Sequence, residues 1–149
     1  VTTRRFVACD SHVCARSPRR FIDDAIAGRE ARYTFRGLSH ELSAQVDPNT
    51  KRQLLLIFKE SVNNAVRHSG CRQIKVELRI DGAALRLEVA DDGRGFDVDR
   101  EYEGNGLESI RRRAGELGAT LTLDSRSGRG TTVRLNLPLG RRKRAGRKP

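Results

Sequence analysis

Several short stretches of the chain place polar residues and glycines where regular structure has little use for them. In Glu60-Ser61-Val62-Asn63-Asn64-Ala65-Val66-Arg67-His68-Ser69 two adjacent asparagines stand inside a pattern that otherwise reads as helix, although Asn is a poor helix former whose amide competes for backbone hydrogen bonds. A merely solvated helix face would favour Lys and Glu pairs instead. At 100° per residue Glu60, Asn64, Arg67 and His68 gather on one arc. The side-chain carbonyl of Asn64 can ligate a hard cation such as Mg2+, and a carboxylate one turn earlier, at Glu60, can orient or deprotonate an attacking group. Arg67 and His68 extend the same face toward phosphates. Asp91-Asp92-Gly93-Arg94-Gly95-Phe96 ends a strand pattern. There a carboxylate at Asp91 can accept from the amino group of an adenine, while Gly93 and Gly95 let the backbone approach the base. Gly104 and Gly106 precede Leu107 and an amphipathic run, so free N–H groups and a helix dipole can meet phosphates. Singly, each stretch is an ordinary turn or helix start; jointly they supply what a magnesium nucleotide requires.

The elements that must carry these residues are legible from hydrophobic spacing. Asp47-Pro48-Asn49-Thr50 offers turn and capping chemistry, Thr50 with Gln53 fits a capping box, and a long helix is predicted from there to Ser69-Gly70. Its apolar arc is Leu54, Leu55, Phe58, Val62, Ala65 and Val66. Ile74, Val76, Leu78 and Ile80 alternate with polar residues, Asp81-Gly82 follows, and Leu85, Leu87 and Val89 alternate again, which predicts a hairpin closed by a two-residue turn. A second helix carries Leu107, Ile110, Ala114 and Leu117 and stops at Gly118; strands over 120–124 and 131–137 then flank Ser127-Gly128-Arg129-Gly130. Upstream, Ser17-Pro18 precedes a short helical stripe of Phe21, Ile22, Ala25 and Ile26, and 32–36 suits an edge strand ended by Gly37. The expected fold class is α+β: a two-layer sandwich with a mixed, mostly antiparallel sheet covered on one face by helices.

Composition narrows the function classes. A chain of 149 residues with 36% hydrophobic and 33% charged residues fits one soluble domain with tails. No apolar run is long enough to span a bilayer, so no membrane contact by this segment is expected. The chain starts with Val and holds no Met, consistent with a piece of a longer protein. Cys9, Cys14 and Cys71 are odd in number and form no C-x-x-C pair, which points to neither a disulfide framework nor a zinc site and fits a reducing cytoplasm. The net charge of +11 is concentrated: the last ten residues carry six positive charges and no acid, leaving +5 on the first 139. That tail is read as a solvated, disordered run. With five Phe, two Tyr and no Trp, stacking platforms for single strands are scarce and no nucleic acid is expected as a partner. The expected organisation is a linker or N-terminal helix over 1–30, one domain over 31–139 and a basic tail over 140–149.

Taken in order, E-S-V-N-N-A-V-R-H-S (60–69), D-D-G-R-G-F (91–96), G-N-G-L-E-S-I-R-R-R-A (104–114) and G-R-G-T-T-V-R-L-N-L-P (128–138) resemble the N, G1, G2 and final threonine motifs of the GHKL ATPase superfamily. Within it, the chain is similar to the catalytic domain of bacterial sensor histidine kinases that work with response regulators of the LuxR/NarL type. The resemblance covers about residues 31–138 and implies a Bergerat fold with ATP and Mg2+ as cofactors. It implies Asn64 as magnesium ligand, Glu60 as the N-box acid, and Arg67 and His68 as its phosphate-side flank. It further implies Asp91 as adenine acceptor, Gly93 and Gly95 as pocket walls, and Gly104, Gly106 and Leu107 as the phosphate-binding loop and helix start. Thr131 would support the adenine end beside Asp91, through a water, and residues 96–103 would be a short ATP lid. Such kinases phosphorylate a histidine on a helical hairpin. His12 lacks the acidic and basic surroundings of the family's phosphoacceptor helix, His40 stands too close to Asn64 for a hairpin to intervene, and His68 belongs to the nucleotide site. The expected acceptor is therefore a separate histidine-containing dimerisation domain, and the parent protein is expected to be cytoplasmic or anchored by other segments. A stand-alone switch protein of the anti-sigma type and a degenerate scaffold are the alternatives; the joint presence of Asn64, Asp91 and the paired glycines speaks against the scaffold.

Overall fold

The computed structural model describes residues 17–37, 46–98 and 105–140. Gly104, most of the expected lid, His12, His40 and the basic run from 141 onward lie outside these described residues. The elements in chain order are α1 (Pro18–Ile26), β1 (Arg32–Gly37), α2 (Pro48–His68), β2 (Gln73–Asp81), β3 (Ala84–Asp91), α3 (Asn105–Glu116), β4 (Thr120–Ser125) and β5 (Thr131–Pro138). The strands form one five-stranded sheet in the order β1-β2-β3-β5-β4. β1 pairs parallel to β2, and every other pairing is antiparallel. This is the mixed, mostly antiparallel two-layer sandwich that the spacing predicts.

Alternation explains which way the sheet faces. Ile74 and Val76 on β2, Leu85, Leu87 and Val89 on β3, and Val133, Leu135 and Leu137 on β5 are buried with Leu54, Ile57, Phe58, Val62, Ala65 and Val66 of α2 and Ile110 and Ala114 of α3. The intervening residues form an outer face laced with ion pairs, among them Arg134–Glu88 at 2.9 Å and Arg86–Asp81 at 3.3 Å. These exposed pairs pattern the surface and contribute little to stability. The β2–β3 hairpin turns on Gly82-Ala83, with Asp81 opposite Ala84 and Gly82 at φ +60°. That conformation is open to glycine and costly for branched residues. No helix among the described residues is long and apolar enough to cross a membrane.

Two details differ from the sequence reading. The cap of α2 is Asp47, not Thr50: its carboxylate accepts from the N–H of Asn49 at 3.0 Å and of Thr50 at 3.1 Å, and Pro48 takes the first helical turn. Proline there loses no bond, because the first N–H groups of a helix have no partner inside it. Gln53 is thereby released from a capping box, and its carbonyl accepts from Arg113 on α3 at 2.7 Å. The apolar arc of α2 is also wider than predicted. Ile57 is fully buried while Leu55 is only partly so, because α2 is covered by α1 and α3 as well as by the sheet.

α1 and β1 are fastened to this frame by specific contacts. Phe21 and Phe35 each pack edge-on against Phe58, with ring centroids 5.9 and 6.5 Å away. Tyr33 donates its hydroxyl to Asp23 at 2.8 Å, and burial together with that carboxylate pushes the phenol up to about 12. Arg29 donates to the carbonyl of Val66 at 3.0 Å, placing a cation on the carbonyl-rich last turn of α2.

Candidate nucleotide site

The fold brings the singled-out residues together in two clusters along the C-terminal half of α2 and just beyond it. The first lies where α3 begins. Glu60 and Asn64, one turn apart on α2, face Gly106: a β-carbon there would run into Glu60 Oε1 and stand 3.2 Å from Asn64 Oδ1 and 3.3 Å from Nδ2. A side chain there would displace the Glu60 carboxylate and crowd the asparagine, so glycine lets the start of α3 sit this close without moving either. Leu107 follows, partly buried against the core, and anchors the helix start. The N–H groups of a first helical turn thus lie beside a carboxylate and an amide oxygen, an arrangement suited to an anion and a hard cation side by side. Among the described residues no group of three or more His, Cys, Asp or Glu side chains could hold a metal ion. Arg67 and His68 are exposed in the last turn of α2. They continue the same face, and as basic residues at a helix C-terminus they also complement its dipole.

The second cluster lies where β3 ends. Asp91 pairs in register with Thr131 on β5. Its carboxylate accepts from the N–H of Gly93 at 2.9 Å, and hydrogen bonding here favours the ionised form. Burial is the larger influence and holds this carboxyl above the usual range, with that hydrogen bonding pulling the other way. The next residue has a different task. Asp92 accepts from the N–H groups of Arg72 at 2.9 Å and Gln73 at 2.8 Å and so ties down the start of β2.

The glycine loop between these points is held by its backbone. A β-carbon on Gly93 would stand 2.5 Å from both the carbonyl and the hydroxyl of Ser69, and the N–H of Arg94 donates to that same carbonyl at 2.8 Å. Gly95, at φ +59°, abuts the carbonyl of Arg126 and would place a β-carbon 2.8 Å from that of Gly130. Beyond it the N–H of Phe96 donates to Ser125 Oγ at 2.9 Å, and Ser125 Oγ also meets Thr131 Oγ1 at 2.9 Å. Of the buried serines, Ser69 and Ser125 adjoin this loop and are residues that motif reading passed over. Ser125 had a signal: it continues the inward alternation of Leu121 and Leu123, where a polar side chain must find a partner. Cys71 flanks this cluster as a free thiol, pushed up chiefly by burial and further by Asp91 and Asp92. That shift keeps it protonated and a weak nucleophile.

Comparison with known proteins shows the family and the fold. The family described as histidine kinase-, DNA gyrase B- and HSP90-like ATPase matches residues 49–141. The sensor protein VraS of Staphylococcus epidermidis is 35% identical over 104 residues, 68% of this chain and 30% of that protein. The sensor histidine kinase LiaS of Bacillus subtilis is 33% identical over 95 residues, 63% of this chain and 26% of that protein. The chain therefore spans under a third of the length of these curated relatives. Among solved structures, the blue-light activated histidine kinase EL346 of Erythrobacter litoralis superposes with a TM-score of 0.70 at 26% identity, over 84% of this chain and 41% of that one. The histidine kinase AdeS of Acinetobacter baumannii, at 14% identity and a TM-score of 0.65 over 83% of this chain and 61% of that one, shows the fold alone. On the family match, the relatives and the fold together, this chain belongs to the GHKL family of histidine kinase-, gyrase B- and HSP90-like ATPases, with a Bergerat-type sandwich like that of bacterial sensor histidine kinase catalytic domains.

Proposed function

We propose that residues 31–139 form the ATP-binding catalytic domain of a two-component sensor histidine kinase. It would present Mg-ATP to a histidine on a separate helical dimerisation domain, from which a response regulator of the LuxR/NarL type receives the phosphoryl group. The observation that carries this reading is the close approach of Gly106 to Glu60 and Asn64. It gathers a helix N-terminus, an amide oxygen and an acid on the C-terminal half of α2, whose last turn leads on through Ser69 to the loop after Asp91. Asn64 would ligate the Mg2+, the start of α3 with Gly106 and Leu107 would hold phosphate oxygens, and Arg67 and His68 would flank them. Asp91 would accept from the adenine amino group, with Gly93, Gly95 and Thr131 shaping that end. Bound Mg2+ supplies charge neutralisation on the phosphates. The chain's own task is placement, with Glu60 positioned to orient the attacking group or take its proton. The relatives named as sensor proteins and sensor histidine kinases support the assignment.

A calorimetric titration with a non-hydrolysable ATP analogue, with and without Mg2+, tests the proposal. Wild-type protein is expected to bind, and to bind more tightly with the metal. Asn64→Ala is expected to lose at least about tenfold of the affinity measured with Mg2+, since weakening even indirect metal contacts commonly costs that much, and to lose little without it. An equal loss in both conditions removes Asn64 as a ligand. No binding at millimolar nucleotide removes the functional assignment and leaves the fold.

A further inference from the structure

The seam between α2 and α3 is pinned at two places. At the start of α3, Gly106 faces Glu60 and Asn64 with no clearance for a side chain. Further along, Arg113 Nη1 donates to Gln53 Oε1 at 2.7 Å across a part-buried gap. Gln53 stands seven residues before Glu60, and Arg113 seven after Gly106. The two contacts are therefore two turns, about 10 Å, apart on both helices, which run antiparallel. Between them in sequence, Ile57 of α2 and Ile110 of α3 are fully buried in the common core. An apolar seam admits neighbouring registers, whereas one polar pair across it selects a single register. The start of α3 has no tolerance for the wrong one. A slip of one residue shifts a helix by about 1.5 Å along its axis and about 100° around it. It would bring Leu107 toward the place where a single β-carbon already runs into Glu60 Oε1. Gln53 and Arg113 stand two turns away from that meeting, so whatever they do there passes through the helices.

We infer that Gln53 and Arg113 are positioning residues for the triphosphate end of the site: their hydrogen bond holds α3 in the register along α2 that sets its first turn beside Glu60 and Asn64. This inference rests on the nucleotide reading proposed above. It makes the far end of α3 a place where phosphate binding is set without any change in the groups that touch the ligand.

The test titrates the full chain with two ligands: the β,γ-imido analogue of ATP with Mg2+, and adenosine, which keeps the base and has no phosphate and whose binding ligand-observed NMR can read. Gln53→Leu and Arg113→Leu are each expected to lower affinity for the triphosphate about threefold to tenfold, the range of one net hydrogen bond, and to leave adenosine binding unchanged. The double variant is expected to lose no more than the weaker-binding single one, because either change breaks the same bond. Gln53→Glu, which offers the guanidinium a charged acceptor, is expected to keep wild-type affinity for the triphosphate. All titrations are run at a temperature where circular dichroism shows each variant folded. No loss in the single variants, equal losses for both ligands, additive losses in the double variant or a loss in Gln53→Glu overturns the positioning role, while wild-type binding still upholds the nucleotide reading. Wild-type protein that binds neither ligand removes that reading and the inference with it.

Discussion

Asp91→Asn is expected to lose most of the affinity for ATP while the domain stays folded. The carboxylate is an acceptor on both oxygens, and the backbone N–H of Gly93 already donates to it at 2.9 Å. An amide has one acceptor oxygen, so its NH2 must face either this donor or the adenine amino group, itself a donor. The expected loss is about 1.5–3 kcal/mol, the range for a hydrogen bond involving a charged group, read by the same titration. Unchanged affinity would sink the adenine assignment. Stability of the ligand-free protein is expected to move differently. Burial raises the folded-state pKa of Asp91 above its unfolded value, so the folded state binds the proton more tightly than the unfolded chain. Relative to Asp91→Asn, the wild-type protein is then most stable below the unfolded pKa, loses that advantage as the pH rises through the raised folded pKa, and gains nothing further above it. Urea denaturation of both proteins from about pH 3 to about pH 7 reads the difference. A wild-type advantage that grows with pH would mean that the N–H donors, not burial, govern this carboxyl.

How much of this was legible depends on which force fixed each feature. Strand alternation over 74–89 and 131–137 needs only one buried face, and the structure realises it, fully at Ile74, Val76, Leu85, Leu87, Val89, Val133, Leu135 and Leu137 and partly at Leu78 and Ile80. The cap of α2 was misplaced because Thr50 and Asp47 are both good caps, and the choice fell to proline, whose fixed φ suits the first turn immediately after Asp47. The arc of α2 was drawn too narrow because a periodicity assumes one partner surface, whereas Ile57 is buried by neighbours that come from distant segments. At the site, the spacing of Glu60 and Asn64 is helical geometry and could be read directly. Their meeting with Gly106, more than forty residues on, rested on resemblance, since no local pattern says where a loop will bring a glycine. Asp91 and Asp92 show the same limit more sharply. Adjacent and chemically equal in sequence, they face different tasks because successive residues at a strand end point to opposite sides, one toward the loop glycine and one toward the start of β2. The two serines escaped notice because their importance is a matter of burial, which composition does not report.

Gly130→Ala is expected to be among the most damaging single changes on the sheet side of the site, and Gly128→Ala among the mildest at a comparable backbone conformation. Both glycines are left-handed, at φ +73° and +78°, so each alanine meets a similar conformational penalty of about 1–2 kcal/mol. Their surroundings differ. Nothing lies within 4 Å of a β-carbon on Gly128, whereas one on Gly130 would run into the carbonyl oxygen of Asp91 and stand 2.9 Å from its carbonyl carbon and 3.1 Å from Asp92 Cα. Those are backbone atoms of β3 at the head of the glycine loop and cannot rotate aside, so strain of about 1–3 kcal/mol is added to the conformational cost. Equilibrium urea denaturation is therefore expected to show Gly130→Ala destabilised by about 2–5 kcal/mol and Gly128→Ala by about 1–2 kcal/mol. The functional consequence separates them further. Relief of the clash must push Asp91 away from Thr131 and Gly130, so Gly130→Ala is expected to lose nucleotide affinity even in the fraction that remains folded, while Gly128→Ala keeps it. Equal destabilisation of the two variants would mean that β3 and the β4–β5 turn do not approach as closely as described, and the seating of Asp91 against Thr131 would have to be abandoned with it.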